Sequence, residues 1–463
     1  MTGKAFSAAL RPATILLIFC AIAAAQTPVE NLRANLTYLA SDELEGRGTP
    51  SKGLDLAADY VANQFQKANL QPAGPGGTYF QTAKFAEVTS NSEGFVLTLK
   101  DGTKQIAVEP NEARVRSLAP LDLNDQPVVK LPASGAIPPV EGMIVAGDAA
   151  RYTGDLLDLL QSRKPALIIL IGKGRPFRPA SRPTLEDMET PGAPMIRINK
   201  AEAEELLKEQ SPLSISVHAA APAVKRVELR NVAAILPGSD PAMATQYVIL
   251  SAHYDHLGHG PSGIFHGAND NGSGTVSVIE IARELAAQPK RPKRSILFIT
   301  FFGEEEGLLG SYYYVRHPLV PLNKTVANVN LEQIGRTDDS TGQRVGQFAF
   351  TGPSYTNLPG IMEKAAKADG VNVYLRKEAD SFFARSDNYA FAEHGVPDST
   401  IAVAFEYPEY HAIGDTVDKI DFDNLAKVDH AIAAGIERLA DESGVPKWSS
   451  EKAAAKYREA GIR

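Results

Sequence analysis

Five separated strand ends or loops of this chain each deliver a residue able to bind a cation or move a proton. His253 and Asp255 follow Tyr247-Val248-Ile249-Leu250-Ser251-Ala252. Asp270 stands in Gly267-Ala268-Asn269-Asp270-Asn271-Gly272-Ser273-Gly274. Glu304 and Glu305 follow the run at 295–302, Glu332 follows Val326 to Leu331, and His411 lies in a late loop ahead of Asp415. Imidazole and carboxylate donors from separate strand ends are what a borderline-soft cation requires. His253 and Asp255 are two apart, so an extended backbone puts them on one face, where Asp255 can orient the imidazole. Glu304-Glu305-Glu306, between Gly303 and Gly307, repel one another unless a cation or shared protons relieve them. His256, His259 and His266 crowd one loop and read as surface or satisfied core histidines.

The elements that must position these residues are legible as periodicity. Residues 28–40 and 54–69 read as amphipathic helices, with Leu54, Leu56, Ala57, Tyr60, Val61 and Phe65 at helical spacing. Leu44 to Pro50 is turn-rich and 70–80 reads as loop. From 106 to 228 short β-like pieces (128–131, 142–145, 166–171, 194–198) alternate with helical stretches near 153–162 and 200–208. This region has no His–acid cluster and reads as a non-catalytic insert. From 229 onward strands at 230–236, 246–252, 295–302, 326–332 and 398–404 alternate with helices at 273–287 and 356–368. That alternation predicts an α/β fold with a mostly parallel sheet covered on both faces. In such sheets function collects at the carboxyl ends of the strands. The tail from 445 reads as a solvated helix or a frayed end.

Composition narrows the function class. A chain of 463 residues, 44% hydrophobic and 22% charged, has the make-up of a globular protein with a sizeable core. A net charge of −8 argues against a nucleic-acid partner, whose phosphates need a basic footprint. Lys4 and Arg11 precede an apolar run from Ala13 to Ala24 that is short for a bilayer span. Ala23-Ala24-Ala25 suits a signal peptidase, so residues 1–25 are expected to be a signal peptide. The only cysteine, Cys20, lies in that segment, and the bulky Phe19 before it speaks against lipidation. The expectation is an exported chain, periplasmic or secreted, without disulfides and without stable membrane insertion after cleavage.

The ordered set His253-Tyr254-Asp255, Gly267 to Gly274, Gly303-Glu304-Glu305-Glu306-Gly307-Leu308-Leu309-Gly310-Ser311, Asn330-Leu331-Glu332 and Tyr410-His411 resembles the M28 family of zinc metallopeptidases. Ser386-Asp387-Asn388-Tyr389-Ala390-Phe391 and Gly395-Val396-Pro397 resemble a further shared block. The resemblance covers most of 229–440. More loosely, 106–228 resembles the protease-associated (PA) domain that some members carry.

The resemblance implies a zinc-exopeptidase (phosphorylase/hydrolase-like) three-layer α/β/α sandwich with a mixed, mostly parallel sheet. Its implied domains are an N-terminal part of the catalytic domain at 26–105, a smaller β-rich PA-like insert at 106–228 and the catalytic peptidase domain at 229–463. It implies two zinc ions per chain: one on His253 and Glu332, the other on Glu305 and His411, with Asp270 bridging. Glu304 would be the general base for a water shared by the cations, Tyr410 would polarise the scissile carbonyl, and Asp255 would support His253. It also implies a cis peptide at Asp270–Asn271. The family usually has Asp where this chain has Glu332, which remains an oxygen donor with a longer arm. Phe382, Phe383 and Arg385 are candidates for lining the substrate pocket. The activity implied is an aminopeptidase acting on peptides. The alternatives on the same fold are a carboxypeptidase, a glutaminyl cyclase-like enzyme, or a non-enzymatic receptor-like ectodomain.

Overall fold

Along the strand Tyr247–His253, Val248, Leu250 and Ala252 enter one apolar core and Ile249 the opposite one. Ser295–Phe301 does the same, with Ile296 and Phe298 on one side and Leu297, Ile299 and Phe301 on the other. A strand buried on both faces needs helices on both sides, and the sequence supplies them. The computed structural model describes residues 27–102, 104–177, 183–374 and 377–461. The expected signal segment at 1–25, with Cys20, lies outside the described residues.

These strands form the middle of a ten-stranded sheet. Its order is Asn372–Val373, Gln347–Phe350, Asp398–Ala402, Thr325–Leu331, Tyr247–His253, Ser295–Phe301, Ala223–Leu236, Phe80–Thr89 and Thr184–Asp187, with Gln71–Pro72 also paired to Ala223–Leu236. The sheet is mixed. The four strands from Asp398–Ala402 to Ser295–Phe301 run parallel, and both flanks add antiparallel pairs. One face is covered by helices Pro28–Leu39, Lys52–Lys67, Gly274–Ala287, Leu358–Ala368 and Phe422–Asp441, the other by Leu309–Arg316 and Asn388–Glu393. The first helix opens with a capping box, in which Thr27 and Glu30 satisfy each other's backbone N–H groups.

A second, eight-stranded sheet has its own cores. It contains Val96–Asp101, Lys104–Val108, Ala113–Arg116, Leu121–Lys130, Ile144–Asp148, Leu167–Gly172, Met195–Asn199 and Leu213–Ala219. The boundary expected at 106 therefore falls inside one of its strands. The boundary expected at 228 falls inside Ala223–Leu236, which runs on into the large sheet. The entry strand Phe80–Thr89 and exit strand Ala223–Leu236 pair with each other from Val232↔Phe80 to Ala223↔Thr89.

The tail differs from its sequence reading. Trp448 and Tyr457 stack at 5.0 Å between centroids, and both pack with Phe383. Trp448 Nε1 donates to the carbonyl of Gly395. The two aromatic residues dock an otherwise Ala- and Lys-rich stretch onto Phe383. Among the described residues no helix is long and apolar enough to cross a membrane.

Candidate metal centre

The parallel strands end side by side, so His253, Glu332 and the turn after Phe301 emerge at one edge. The 267–274 loop is then fixed by its own polar side chains. Asn269 Oδ1 accepts from the N–H groups of Gly335 and Arg336, and Asn271 Nδ2 donates to the carbonyl of Leu331 at 2.8 Å. Asn271 Oδ1 accepts from Gly274 and Gln333. Asp415 accepts from the N–H groups of Asn269 and Asp270, which joins the His411 loop to the same turn. The Asp270–Asn271 peptide is cis, as the resemblance implies.

These contacts bring His253, Asp270, Glu304, Glu305, Glu332 and His411 together. His253 Nε2 lies 3.1 Å from Glu332 Oε1, 3.6 Å from Asp270 Oδ1 and 3.9 Å from Glu304 Oε2. His411 Nε2 lies 3.1 Å from Asp270 Oδ2 and 3.3 Å from Glu305 Oε2. Donors bound tetrahedrally to zinc at about 2.0–2.2 Å stand roughly 3.3–3.5 Å apart. The 3.1–3.6 Å separations in both clusters lie within a few tenths of an ångström of that edge length, and Asp270 faces each with a different oxygen. Asp270 Oδ2 is buried without a hydrogen bond, as a donor reserved for a cation is. Glu332 reaches despite its longer arm, and Ser386 holds its other oxygen with a 2.6 Å hydrogen bond.

The electrostatics point the same way. Asp255, Asp270, Glu304, Glu305, Glu332, Asp387 and Asp415 crowd one region, and Arg47 stands among them as a buried cation. Burial and the nearby Glu332, Glu305 and Asp387 push Glu304 well above the usual carboxylate range, with His253 opposing. Against the upward push of burial, hydrogen bonds from His256 and His411 hold Glu305 well below it. Asp270 and Glu305 raise His411 to about 10, because their carboxylates favour the charged imidazolium.

Asp255 is fully buried and accepts from the N–H groups of Glu304 and Glu305, while His253 Nδ1 faces its carbonyl at 3.2 Å and its carboxylate at 3.4 Å. Tyr410 stacks on His411 at 4.0 Å and is 46% exposed, so its ring stands at the mouth of the site. A cavity of about 190 Å³ opens beside Asp270, Glu304, Glu332, Tyr410 and His411, and Phe382 and Arg385 line it with Phe405. Phe383 does not line it. The chain leaves a 3₁₀ turn there, and consecutive side chains diverge, so Phe383 packs against Tyr355, Trp448 and Tyr457 instead. A larger cleft of about 1060 Å³ is bounded by Arg116, Asp187, Tyr312 and Arg316, and none of the predicted site residues lines it.

Two residues escaped the sequence reading. His259 is exposed and His266 meets Asp42, as ordinary histidines do, but His256 is fully buried against Glu305. Nothing in the sequence separates it from its two neighbours except its place three residues after His253. Arg47, read only as part of a turn, is fully buried and donates to the carbonyls of Leu39, Tyr254, His266 and Gly267. Burial lowers it to about 10, so it remains charged at neutral pH.

Residues 231–436 match the sequence model of Peptidase family M28. Over 451 residues the chain is 25% identical to "Probable lipoprotein aminopeptidase LpqL" of Mycobacterium tuberculosis, covering 88% of this chain and 84% of that protein. It is 28% identical over 216 residues to aminopeptidase YwaD of Bacillus subtilis, covering 45% of this chain and 44% of that protein. Among solved structures, the aminopeptidase from Aneurinibacillus sp. strain AM-1 superposes with a TM-score of 0.52 at 20% identity, over 90% of this chain and 95% of that one, a likeness of fold. Residues 231–436 are thus an M28 peptidase region, and the chain is a metallo-aminopeptidase.

Proposed function

We propose that this chain is an exported aminopeptidase working with two zinc ions, held by His253, Asp270 and Glu332 on one side and Asp270, Glu305 and His411 on the other. The observation that carries the reading is the spacing of these donors. In two clusters that share Asp270, a histidine nitrogen stands 3.1–3.6 Å from the carboxylate oxygens of residues in distant segments. When bound, such a pair of cations supplies Lewis acidity and lowers the pKa of water toward neutrality.

The chain's own groups divide the remaining work. Glu304 is the only carboxylate of the set not needed as a ligand. Its raised affinity for protons suits a base that accepts one from water and returns it to the leaving amine. Tyr410 is held as a neutral hydroxyl by burial and the surrounding carboxylates, so it is a donor for the oxygen of the scissile carbonyl. Asp255 keeps Nδ1 of His253 engaged, leaving Nε2 for the metal. Phe382, Phe405 and Arg385 border the space next to the base and receive the substrate's first side chain.

Export is supported by the basic start and apolar run of the first 25 residues, and by the lipoprotein designation of the mycobacterial relative. The eight-stranded unit is proposed to be the PA-like insert, since its strands carry none of the predicted site residues. One experiment tests the whole reading. Metal-stripped protein is titrated with zinc and assayed on free and N-terminally blocked peptides. About two zinc per chain, with cleavage of the free peptides alone, is expected. One zinc per chain, or equal cleavage of blocked peptides, would overturn it.

A further inference from the structure

His256 is in none of the ligand roles above, yet it is buried directly beside them. Its Nδ1 lies 2.8 Å from Glu305 Oε1. Its Nε2 is buried with no hydrogen-bond partner. Its ring rests on Gly267, where a Cβ would come within 2.4 Å of Cγ and 2.5 Å of Cδ2, so only glycine leaves room for it. The ring also stands edge-on to His411, 5.8 Å between centroids.

Two roles are open to such a group: ligand or hydrogen-bond donor. The distances choose between them. The atoms expected to share a cation, His411 Nε2 with Glu305 Oε2 and Asp270 Oδ2, are 3.3 and 3.1 Å apart. Tetrahedral zinc spaces its donors by roughly 3.3–3.5 Å. The 2.8 Å between His256 and Glu305 is shorter and is the length of an N–H···O bond. It also involves Oε1, the carboxylate oxygen not facing His411. A metal-binding carboxylate is ionised and accepts only, so the proton sits on Nδ1 of His256.

We infer that His256 is a positioning residue of the metal centre, which donates Nδ1–H to Glu305 Oε1 and thereby confines Glu305 to one donor oxygen. The inference rests on the two-zinc reading and adds to its three ligands for the His411-side cation a fourth protein group, acting through Glu305. The other side has a matching device. Ser386 occupies Oε2 of Glu332 and leaves Oε1 toward His253. Each terminal glutamate ligand thus has one oxygen engaged by the protein and one left for the cation.

The test uses the full chain with its metal removed, titrated with zinc against a chromophoric chelator, with circular dichroism to follow the fold. H256A is expected to weaken one of the two zinc sites by about 10–100-fold, the usual cost of losing an outer hydrogen bond to a ligand, and to leave the other unchanged. H256N keeps an N–H donor where Nδ1 stands, so it should recover most of that affinity. H256Q, whose amide falls nearer the Nε2 position, should recover less. Unchanged binding at both sites in H256A would overturn the inference, as would H256N binding no better than H256A. Should H256A fail to fold, the comparison of H256N with H256Q decides in the same way. Wild type binding a single zinc would instead remove the two-zinc reading, an outcome seen before any variant is made.

Discussion

The two sheets of this molecule bury very different interiors. In the eight-stranded sheet the central strands contribute Val145, Ala146, Ile168, Ile169, Leu170, Ile171, Ile196 and Ile198, and packing holds it together. In the ten-stranded sheet the strands around the metal centre bury Asn231, Ser251, Thr300, Asn328, Asn330 and Thr400. Ser251 donates toward Asn328 and Asn330, and Asn330 Nδ2 donates to Ser386 and Thr400, so the polar set reaches Glu332 through Ser386. Buried polar groups cost free energy unless paired, so a sheet gathers them only where direction matters more than packing. Both trios of His and acidic side chains close enough to hold a metal, among the described residues, lie at this sheet: His253 with Glu304 and Glu332, and His256 with Asp270 and Glu305. The contrast separates a unit that only needs to be stable from one that also aims side chains.

The sharpest way to break that contrast is E304Q. It should leave zinc content and melting temperature nearly as in wild type while turnover falls by about 10²–10⁴-fold, measured on an aminoacyl substrate. Full activity would remove Glu304 as the base. R47M should come next. It withdraws a buried charge from beside Asp255, Asp415, Asp270 and Glu305 and leaves the carbonyls of Leu39, Tyr254, His266 and Gly267 without their donor. A loss of about 3–5 kcal/mol in denaturant unfolding is expected, together with weaker zinc binding. I169A, in the aliphatic sheet, should cost about 2–5 kcal/mol with zinc affinity unchanged. If zinc affinity fell with it, the two units would not be energetically separate.

The smallest effect concerns pH. Asp429, fully buried under the helix Gly274–Ala287, is pushed well above the usual carboxylate range by burial, against its hydrogen bond to Ser277. A carboxyl whose folded pKa is raised contributes stability that is present below its unfolded value, about 3.9, and lost as pH rises through the folded value. The melting temperature of wild type should therefore decline above about pH 4 more steeply than that of D429N, which has no proton to lose.

How far the sequence reached follows the same division. Most helices and strands read from periodicity lie within about two residues of their observed bounds, as with Pro28–Leu39 and Ser295–Phe301, but the strands expected at 230–236 and 128–131 begin seven residues earlier, at Ala223 and Leu121. The metal cluster was legible because its donors stand at strand ends, in an order that resembles a known family. Arg47 and His256 were not, because their importance comes from what meets them in space: carbonyls more than 200 residues away in one case, one carboxylate oxygen in the other. The tail was misread for a similar reason, since Trp448 and Tyr457 meet their apolar partners, Phe383 and Ala392 among them, only in the folded chain.

The ribbon formed by Phe80–Thr89 and Ala223–Leu236 has a practical consequence. Because Thr89 and Ala223 are direct partners, everything from 90 to 222 is a detour between two residues already face to face. A two-residue Asn-Gly turn in its place would close the ribbon as an ordinary hairpin. The excision would also take away Thr184–Asp187 and bare the rim of the remaining sheet, so the shortened enzyme would need charged residues on Phe80–Thr89 to keep copies from sticking together.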